Sequence, residues 1–298
     1  MPDPHLALFE EQRQRLFGIA YRMLGAVTDA QDMVQECYLR WHQAKDEVIR
    51  SPQAWLTTVI TRLCLSHLQL ARVKREAYVG PWLPEPLVDE QAADPASSSM
   101  LADSLSLAFL VLLETLSPPE RAVFILREGF ECDFADIARI VEKSEENCRQ
   151  ILARARKRID EGRPRYDVSR AEAEKLVGPF LAALRDGDLE AMLARMAENV
   201  VLVADAGGRP GALLKPLEGA GHVARAMLHA ARKQGVTQSD FRLATVNGLP
   251  GLVRYQGTLA QAVLALGIVG GRIASVFIIS NPDKLRHLHR PGEARPQA

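Results

Sequence analysis

Apolar residues recur at spacings of three and four from Leu6 to about Arg75, with few alternations of the kind found in strands. This period is typical of amphipathic helices, and its breaks predict three of them. A second helical block is predicted from about Leu107 to Glu161, before a stop signal at Gly162 and Pro164. Residues 85–106 between the blocks are acidic, small and poor in large apolar groups, which indicates a connector and a domain boundary.

The pattern changes after Ala171. Two short helical patterns, AEKLVGPFLAALRDG and LEAMLARMAEN, precede the apolar runs VVLVAD, FRLATV, GLVRYQG, LAQAVLALGIV and RIASVFIIS, which predict strands. Gly270-Gly271 suits a two-residue hairpin turn that needs positive φ. The stretch HVARAMLHAARK interrupts the strands and predicts another helix. The third domain is therefore expected to be α+β, with helices packed on a curved antiparallel sheet.

Composition limits the classes of protein. A chain of 298 residues that is 47% apolar is long enough for two or three domains. No run approaches the length of a membrane span and the first residues lack the order of a secretory signal, so we expect a cytoplasmic protein. The four cysteines form no CxxC pair, which predicts buried reduced thiols and neither a metal nor a cofactor. Because 37 basic residues balance 37 acidic ones, only local charge clusters can indicate nucleic-acid binding.

A cluster of acidic residues lies in TDAQDMVQECYLRW, Thr28 to Trp41. Thr28 and Gln31 predict a capping box at the start of a helix. The buried stripe of this helix is predicted to be Met33, Val34, Cys37, Tyr38 and Trp41. The stripe leaves an exposed polar face that could meet a basic partner, and its members are Asp29, Asp32, Gln35 and Glu36. Helix capping with a solvated face is the alternative for these residues.

The block Ser117 to Ile159 has the layout of a helix-turn-helix, in which Ser117 with Pro118, Asp133 and Ser144 begin three helices. The apolar side of the third helix is Cys148, Ile151, Leu152, Ala155 and Ile159. The polar residues opposite are Glu146, Asn147, Gln150, Arg154 and Lys157, flanked by Arg149, Arg156 and Arg158. A recognition helix needs this division, because its front must reach base edges and phosphates. A solvated amphipathic helix with a basic end is the alternative.

The run YVGPWLPEP, Tyr78 to Pro86, follows the first helical block. Its three prolines predict a stiff, extended segment that cannot continue the helix or join a central strand. Trp82 in its middle could pack on a neighbour in the manner of any proline-rich linker, or it could dock on another domain of the chain.

These stretches, together with SPQAWLTTVITRLCLSHLQLARVKRE, resemble regions two and four of bacterial extracytoplasmic-function sigma factors over Leu6 to about Gly162. The linker, a C-terminal domain similar to the SnoaL/NTF2 group, and NPDKL at Asn281–Leu285 resemble the subgroup with a fused C-terminal regulatory domain. The resemblance implies two all-α sigma domains, a region 2 helical bundle and a region 4 helix-turn-helix, followed by an α+β SnoaL/NTF2-like cone-shaped domain. The expected boundaries are 1–76, 77–106, 107–163, 171–290 and a loose tail at 291–298.

The resemblance also implies the partners, which are core RNA polymerase through its beta-prime clamp and beta flap, double-stranded promoter DNA and the melted non-template strand. The polar face of Asp29, Asp32, Gln35 and Glu36 would dock on the clamp. The Ser144 helix would read the upstream element, and the helices around Trp41–Arg75 would open and read the downstream one, with the loop Gln43–Pro52 as pocket for a flipped base. The expected DNA contacts are Arg62, Arg72, Lys74, Arg75, Glu146, Asn147, Arg149, Gln150, Arg154 and Lys157.

In the third domain, a DGGGK-type stretch is present as DAGGR, Asp205–Arg209, where Ala206 replaces a glycine and Arg209 a lysine. We expect the linker to dock near this stretch or near NPDKL and to control activity in cis, in place of a separate anti-sigma protein. The expected regulatory residues are Tyr78, Trp82, Leu83, Asp205, Arg209, Asn281, Pro282, Asp283, Lys284 and Leu285.

Three alternatives stay open for the function. The third domain could hold a small ligand, or the helix-turn-helix could belong to a ligand-responsive DNA-binding regulator. The third domain could also be an isomerase-like or cyclase-like enzyme, which would need a carboxylate or histidine facing an apolar pocket. The residues available for such chemistry are Asp205, His222, His229, Asp240 and Tyr255. We expect regulation and no enzymatic activity.

Overall fold

The computed structural model describes residues 4–45, 48–76, 78–89, 106–162, 166, 170–209, 212–235 and 241–288. The chain forms two compact units: Met1–Ala77 with Ala108–Arg163, and Tyr78–Leu107 with Pro164–Ala298. The two helical blocks therefore share one unit, while the linker belongs to the unit of the C-terminal domain. Within the described residues, no helix is both long and apolar enough to cross a membrane.

The first unit is helical. Its helices are α1 (Pro4–Leu24), α2 (Val27–Gln43), α3 (Pro52–Glu76), α4 (Leu107–Leu113), α5 (Pro118–Phe124), α6 (Phe134–Val141) and α7 (Glu145–Gly162). The helix α5 runs on into a π-helical turn at Ile125–Gly129. The α1–α3 bundle has a continuous apolar core, in which the largest fully buried side chains include Tyr21, Trp41, Leu56 and Ile60.

The predicted capping box at Thr28 and Gln31 is wrong. The helix α2 begins at Val27, and its N-cap residue is Ala26, which makes no side-chain cap bond. Gly25 has a φ of 67° and its N–H donates to the carbonyl of Tyr21, closing α1. Because this tight turn returns the chain to helical geometry after a single extended residue, Thr28 lies inside the first turn of α2.

The helix-turn-helix starts where the sequence predicts. The N–H of Ser117 donates to Glu120 at 3.0 Å before α5, and the N–H of Asn147 donates to Oγ of Ser144 at 3.2 Å before α7. Asp133 occupies the N-cap position of α6, although its side chain makes no cap bond. The turn after α6 passes through Glu142, whose φ of 56° is uncommon for a residue other than glycine.

The second unit is α+β. Its elements are β1 (Val88–Asp89), α8 (Arg170–Asp186), α9 (Leu189–Leu193), β2 (Met196–Asp205), β3 (Leu217–Glu218), α10 (Ala220–Lys233), β4 (Phe241–Val246), β5 (Leu249–Gln256), β6 (Leu259–Val269), β7 (Arg272–Ile279) and a 3₁₀ turn (Pro282–Lys284). The strands form one sheet in the order β1-β4-β5-β6-β7-β2-β3. Among the strand pairs of the described residues, β2–β7 is parallel and the others are antiparallel. Helices α8 to α10 share one hydrophobic core with one face of this sheet.

Two local expectations have different outcomes in this unit. Gly270 and Gly271 have φ of 56° and 72° and join β6 to β7, as the hairpin prediction requires. The stretch LEAMLARMAEN is helical only over Leu189–Leu193, because Met196 and the following residues enter β2. Pairing of this segment with β7, across a register shift, overrides its helical propensity.

Candidate functional site

The polar face of α2 is partly engaged by neighbouring side chains. Asp32 and Gln35 are exposed, whereas Asp29 and Glu36 are half-buried. Oδ2 of Asp29 lies 3.3 Å from Nε2 of His67 on α3. Oε1 of Glu36 lies 3.0 Å from Nε of Arg40, one helical turn further along α2. The four residues do share one side of the bundle, and two of the three carboxylates already have a partner there.

A groove between α1 and α2 adjoins this polar face. It encloses about 790 Å³. Its lining residues are Leu6, Phe9, Glu10, Arg13, Gln14, Phe17, Gln31, Val34, Gln35 and Tyr38. Gln35 belongs both to the groove and to the polar face, so the two form one continuous surface. The sequence patterns do not reveal this groove, because it exists only where two helices pack side by side.

The outer face of α7 is exposed as a recognition helix requires, and its five polar residues are Glu146, Asn147, Gln150, Arg154 and Lys157. Arg149 on its flank is held in position. Its guanidinium lies 4.8 Å from the centre of the Phe134 ring and donates to Glu145 at 2.8 Å. Arg127 lies on the same ring at 5.0 Å, so Phe134 carries two cations beside α7.

The basic residues predicted to hold a single strand have different environments. Arg62 is exposed on α3, yet it donates to the carbonyl of Arg139 at 2.9 Å and lies 3.7 Å from Glu142 in the turn of the helix-turn-helix. Arg72, Lys74 and Arg75 lie in the last turns of α3, and their side chains are outside the described part of the structure. The predicted base pocket, the loop Gln43–Pro52, includes residues 46 and 47, which are also outside it.

A buried arginine ties the helix-turn-helix to the α1–α3 bundle within the first unit. Arg121 in the middle of α5 is 3% exposed. Its Nη1 donates to the carbonyl of Met23 at 2.7 Å and to Oε1 of Glu114 at 2.6 Å. The carboxylate compensates the buried guanidinium, and the carbonyl connects α5 to the end of α1.

The ring of Phe130 makes a second contact between the helix-turn-helix block and the α1–α3 bundle. It lies between the guanidinium groups of Arg15 and Arg22, at 5.0 Å and 5.2 Å from the ring centre. Arg22 is 2% exposed, and burial lowers its pKa to about 10. These contacts hold the loop after α5 against α1, so both helical blocks are firmly connected inside the first unit.

In the second unit, the linker is bound through the carboxylate of Asp205. This residue ends β2 and is fully buried. The hydroxyl of Tyr78 donates to its Oδ1, and the backbone N–H of Leu83 donates to its Oδ2 at 2.8 Å. Burial, followed by the bond to Asp205, raises the pKa of the Tyr78 hydroxyl. One buried carboxylate therefore holds the linker at two points five residues apart.

Lys284 of the NPDKL motif completes this site. Its ammonium lies 2.7 Å from Oδ2 of Asp205 and donates to the carbonyl of Leu83. It also lies 4.0 Å from the centre of the Trp82 ring and 5.1 Å from that of Tyr78. A single cation thus compensates the buried carboxylate and holds two aromatic rings of the linker.

Further contacts fasten the rest of the linker. The side-chain amide of Asn281 donates to the Tyr78 hydroxyl at 3.0 Å, and Nε2 of His287 donates to the carbonyl of Pro86 at 2.9 Å. The N–H of Leu87 donates to Oδ1 of Asn247 at 3.0 Å, and the N–H of Asn247 donates to the carbonyl of Leu87 at 2.8 Å. Val88 then pairs with β4 as part of β1. We define Tyr78–Asp89 as the docked linker.

The glycine-rich loop fits against this site. Gly207 has a φ of 67°, and a Cβ there would lie 2.8 Å from Cγ of Asn281, so glycine is required for two reasons. Gly208 has a φ of 71° and lies against Val79 of the linker. Ala206 is not among the residues with positive φ, so its side chain does not disturb the turn. Arg209 is exposed.

The candidate catalytic residues are not brought together in the described part of the chain. The carboxylate of Asp205 binds the linker, whereas His222 and His229 are exposed on α10. Tyr255 is buried in β5, and Asp240 lies outside the described residues. In that part of the structure, no group of three or more His, Cys, Asp and Glu side chains could hold a metal ion.

The C-terminal domain continues past the NPDKL motif. Leu285 is buried, and the N–H of Leu288 donates to its carbonyl, so residues up to Leu288 belong to the domain. Residues 291–298, which the sequence predicts to be loose, lie outside the described part of the chain.

Comparison with known proteins agrees with this architecture. Residues 8–73 match the model of Sigma-70 region 2, and residues 106–159 match that of Sigma-70, region 4. The ECF RNA polymerase sigma factor SigJ of Mycobacterium tuberculosis is 37% identical over 289 residues, which cover 93% of this chain and 91% of SigJ. A probable ECF RNA polymerase sigma factor of the same species, SigI, is 32% identical over 95% of both chains.

A solved structure shows the same arrangement of elements. The crystal structure of M. tuberculosis SigJ aligns with a TM-score of 0.75 at 34% identity, covering 94% of this chain and 97% of that one. The chain therefore belongs to the ECF RNA polymerase sigma factors, as the sequence resemblance implies. The predicted fold class, two all-α sigma domains followed by an α+β domain of the SnoaL/NTF2-like kind, is confirmed.

Proposed function

We propose that this sigma factor docks on core RNA polymerase through the α2 polar face and the adjoining α1–α2 groove. The observation that carries the proposal is the continuity of this surface, in which exposed carboxylate and amide groups border a groove lined by both apolar and polar side chains. Polar groups suit a basic partner surface, and the groove offers apolar side chains that the partner can cover. Asp29 and Glu36 would exchange His67 and Arg40 for cations of the polymerase.

The recognition helix α7 supplies the promoter contacts in this proposal. Asn147 and Gln150 can form paired hydrogen bonds with base edges, whereas Arg154, Lys157 and Arg149 can neutralise phosphates. Arg62, with the basic end of α3, would hold the melted strand near the loop Gln43–Pro52. Arg62 must first leave the turn at Glu142, because it is bonded there in the free chain.

We also propose that the C-terminal domain controls activity in cis by holding the docked linker. Five residues of the C-terminal domain bind this segment, namely Asp205, Asn247, Asn281, Lys284 and His287. The linker connects the two sigma domains, so its state limits how they can be placed on a promoter. A difference of a few kcal/mol between docked and polymerase-bound states is enough for a strong bias.

Polymerase docking is tested with Asp32→Lys, which reverses an exposed charge in the middle of the polar face. The matched control is Glu198→Lys, an equally exposed change on β2 of the C-terminal domain. We expect Asp32→Lys to weaken core binding by about tenfold or more and to reduce transcription in parallel, since opposed charges at an interface cost affinity. Equal core affinity of both variants would remove the α2 face from the proposal.

Control in cis is tested by multi-round transcription with full-length Lys284→Ala, which leaves Asp205 without its cation. Arg286→Ala, an exposed cation two residues away, is the control. If the docked linker restrains the factor, Lys284→Ala transcribes more than the control. Less transcript would mean that the docked form is the active one, and equal transcript would contradict control by docking.

Two other functions are separated by the same assays. A ligand-responsive DNA-binding regulator would bind promoter DNA without core polymerase and would be indifferent to Asp32→Lys. An enzymatic C-terminal domain would need turnover that Asp205→Asn abolishes. Neither is favoured by a particular contact in the described residues, whereas the linker contacts favour regulation.

A further inference from the structure

One face of α10 in the C-terminal domain is basic. The opposite side of this helix packs into the domain core through Val223, Ala224, Met227 and Leu228, none of which is more than 6% exposed. The solvent side carries five cationic or titratable side chains, all exposed: His222, Arg225, His229, Arg232 and Lys233. We call these five residues the α10 basic face.

The spacing places the five residues along one side of the helix. From His222 to Lys233 the helix rises by roughly 16 Å, at about 1.5 Å per residue. The sequence of α10, AGHVARAMLHAARK, contains no acidic residue that could interrupt the stripe. The result is a row of three cations, Arg225, Arg232 and Lys233, together with two histidines, and it has no apolar anchor because the intervening surface residues are alanines.

Structural requirements account for only part of this row. Arg232 and Lys233 occupy the last turn of α10, where cations favour the helix dipole, and Arg232 lies against Gly187. Arg225 stands in the middle of the helix, where the dipole contributes little. Among the described residues, no carboxylate lies within ion-pair distance of Arg225 or Lys233, whereas Lys284 in the same domain has one. Neither of these two charges is therefore compensated by a carboxylate of the described residues.

Charge is also distributed unequally along the chain. Residues 170–288 contain 14 Lys and Arg but 10 Asp and Glu, although the whole chain is balanced at 37 of each. This excess is offset within the second unit itself, because the unit with its linker (Tyr78–Leu107 and Pro164–Ala298) contains 17 basic and 17 acidic residues. An anionic partner is therefore indicated by the local cluster of cations on α10 alone.

We propose that the α10 basic face binds the phosphate backbone of promoter DNA, in addition to the contacts made by the sigma domains. Duplex DNA carries about one negative charge per 1.7 Å of axis, so a row of roughly 16 Å faces several phosphates. A protein partner fits less well, because stable protein interfaces centre on aromatic or apolar anchors, which this face lacks. The contact adds affinity without sequence preference, and tethering makes even weak binding effective.

The inference rests on the proposed promoter binding and is tested in the full-length chain with core polymerase. The dissociation constant for a labelled promoter fragment is measured over a range of salt concentrations. The test variant is Arg225→Gln with Lys233→Gln. The control is Lys215→Gln with Arg242→Gln, which removes two exposed cations outside α10. A third variant, Arg225→Lys with Lys233→Arg, keeps the charge of the face.

We expect the test variant to lower the salt slope, in log units of affinity per log unit of salt, by about 1.8, or about 0.9 per lost phosphate contact. Affinity near 0.1 M salt should fall by about tenfold or more. The control and the charge-keeping variant should retain the wild-type slope, and all variants should retain the wild-type melting temperature, because the changed side chains are exposed.

Each other outcome is decisive. Equal slopes for test and control variants, with normal binding by the wild type, would overturn this inference alone. An unchanged slope combined with weaker binding to core polymerase in the absence of DNA would identify a protein partner and also overturn it. A wild-type complex that does not bind the promoter would overturn the proposed function and this inference together.

Discussion

The ammonium group of Lys284 and the carboxylate of Asp205 form an ion pair of 2.7 Å inside the C-terminal domain, where their side chains are 10% and 0% exposed. The pair joins the end of β2 to the 3₁₀ turn after β7, and both partners also bind Leu83 of the linker. Since neither charge can turn to water, each depends on the other and on the docked linker.

Removing one member of this pair should be costly. Asp205→Asn removes the negative charge that faces the buried Lys284 ammonium and should destabilise the C-terminal domain by about 3–5 kcal/mol. Asp283→Asn, which breaks an exposed pair with Arg286 in the same motif, should change stability by no more than about 1 kcal/mol. Urea unfolding of both full-length variants measures the difference, and similar losses would show that the buried pair is unimportant.

Gly207 should be more sensitive to substitution than another glycine with similar backbone geometry. Gly257 has a φ of 61° with open space around it. Gly257→Ala should therefore cost only backbone strain of about 1–2 kcal/mol. Gly207→Ala adds a clash with Asn281 and should release Tyr78 from its partner. Hydrogen exchange at the Leu83 amide should then accelerate in Gly207→Ala only; equal exchange in both variants would contradict the prediction.

Arg121 should be essential for the stability of the first unit. Arg121→Ala removes the buried guanidinium that binds Glu114 and the carbonyl of Met23, and the expected loss is about 3–5 kcal/mol. Arg139→Ala, which removes an exposed pair with Asp136, provides the comparison and should cost no more than about 1 kcal/mol. The midpoint of the first unit's denaturant transition measures both, and a midpoint for Arg121→Ala no lower than that of Arg139→Ala would refute the assignment.

The thiols of the α1–α3 bundle should resist alkylation. Burial raises the pKa of Cys37 to about 12 and also raises that of Cys64. At pH 8 a thiol with a pKa near 12 has only about one thiolate in ten thousand, and the thiolate is the reactive form. Iodoacetamide treatment followed by mass spectrometry should label the half-buried Cys132 first and Cys37 and Cys64 only after denaturation. Early labelling of Cys37 in the folded chain would show that the bundle core opens.

Helix periods, strand runs and the glycine hairpin were predictable from the sequence because they depend on local spacing. The helix-turn-helix and the exposed front of α7 follow from the same spacing. The boundary at Met196 was not predictable, since MAEN favours helix and only pairing with β7 makes it a strand. Ala26 replaced Thr28 as N-cap because Gly25 turns the chain sharply, an effect that no propensity of Thr28 reveals.

The candidate regulatory residues were available only through the resemblance to a family, because the contacts join positions far apart in the chain. Tyr78 meets Asp205 across 127 positions, and Lys284 meets Leu83 across 201. Asn247 and His287 carry no pattern that separates them from other polar surface residues, and they were missed. The contact of Arg62 with Glu142 was also missed, because it exists only when the two helical blocks pack together.

The docked linker also limits how far the chain between the two helical blocks can extend. With Tyr78–Asp89 held on the C-terminal domain, the chain from Asp89 to Ser106 can extend by at most about 55–60 Å, at roughly 3.3–3.6 Å per residue. When the linker is released, the path from Glu76 to Ser106 can reach about 100 Å. Docking therefore divides one long tether into a fixed segment and a short one. The distance that this connection can span between the two helical blocks is consequently shorter in the docked form.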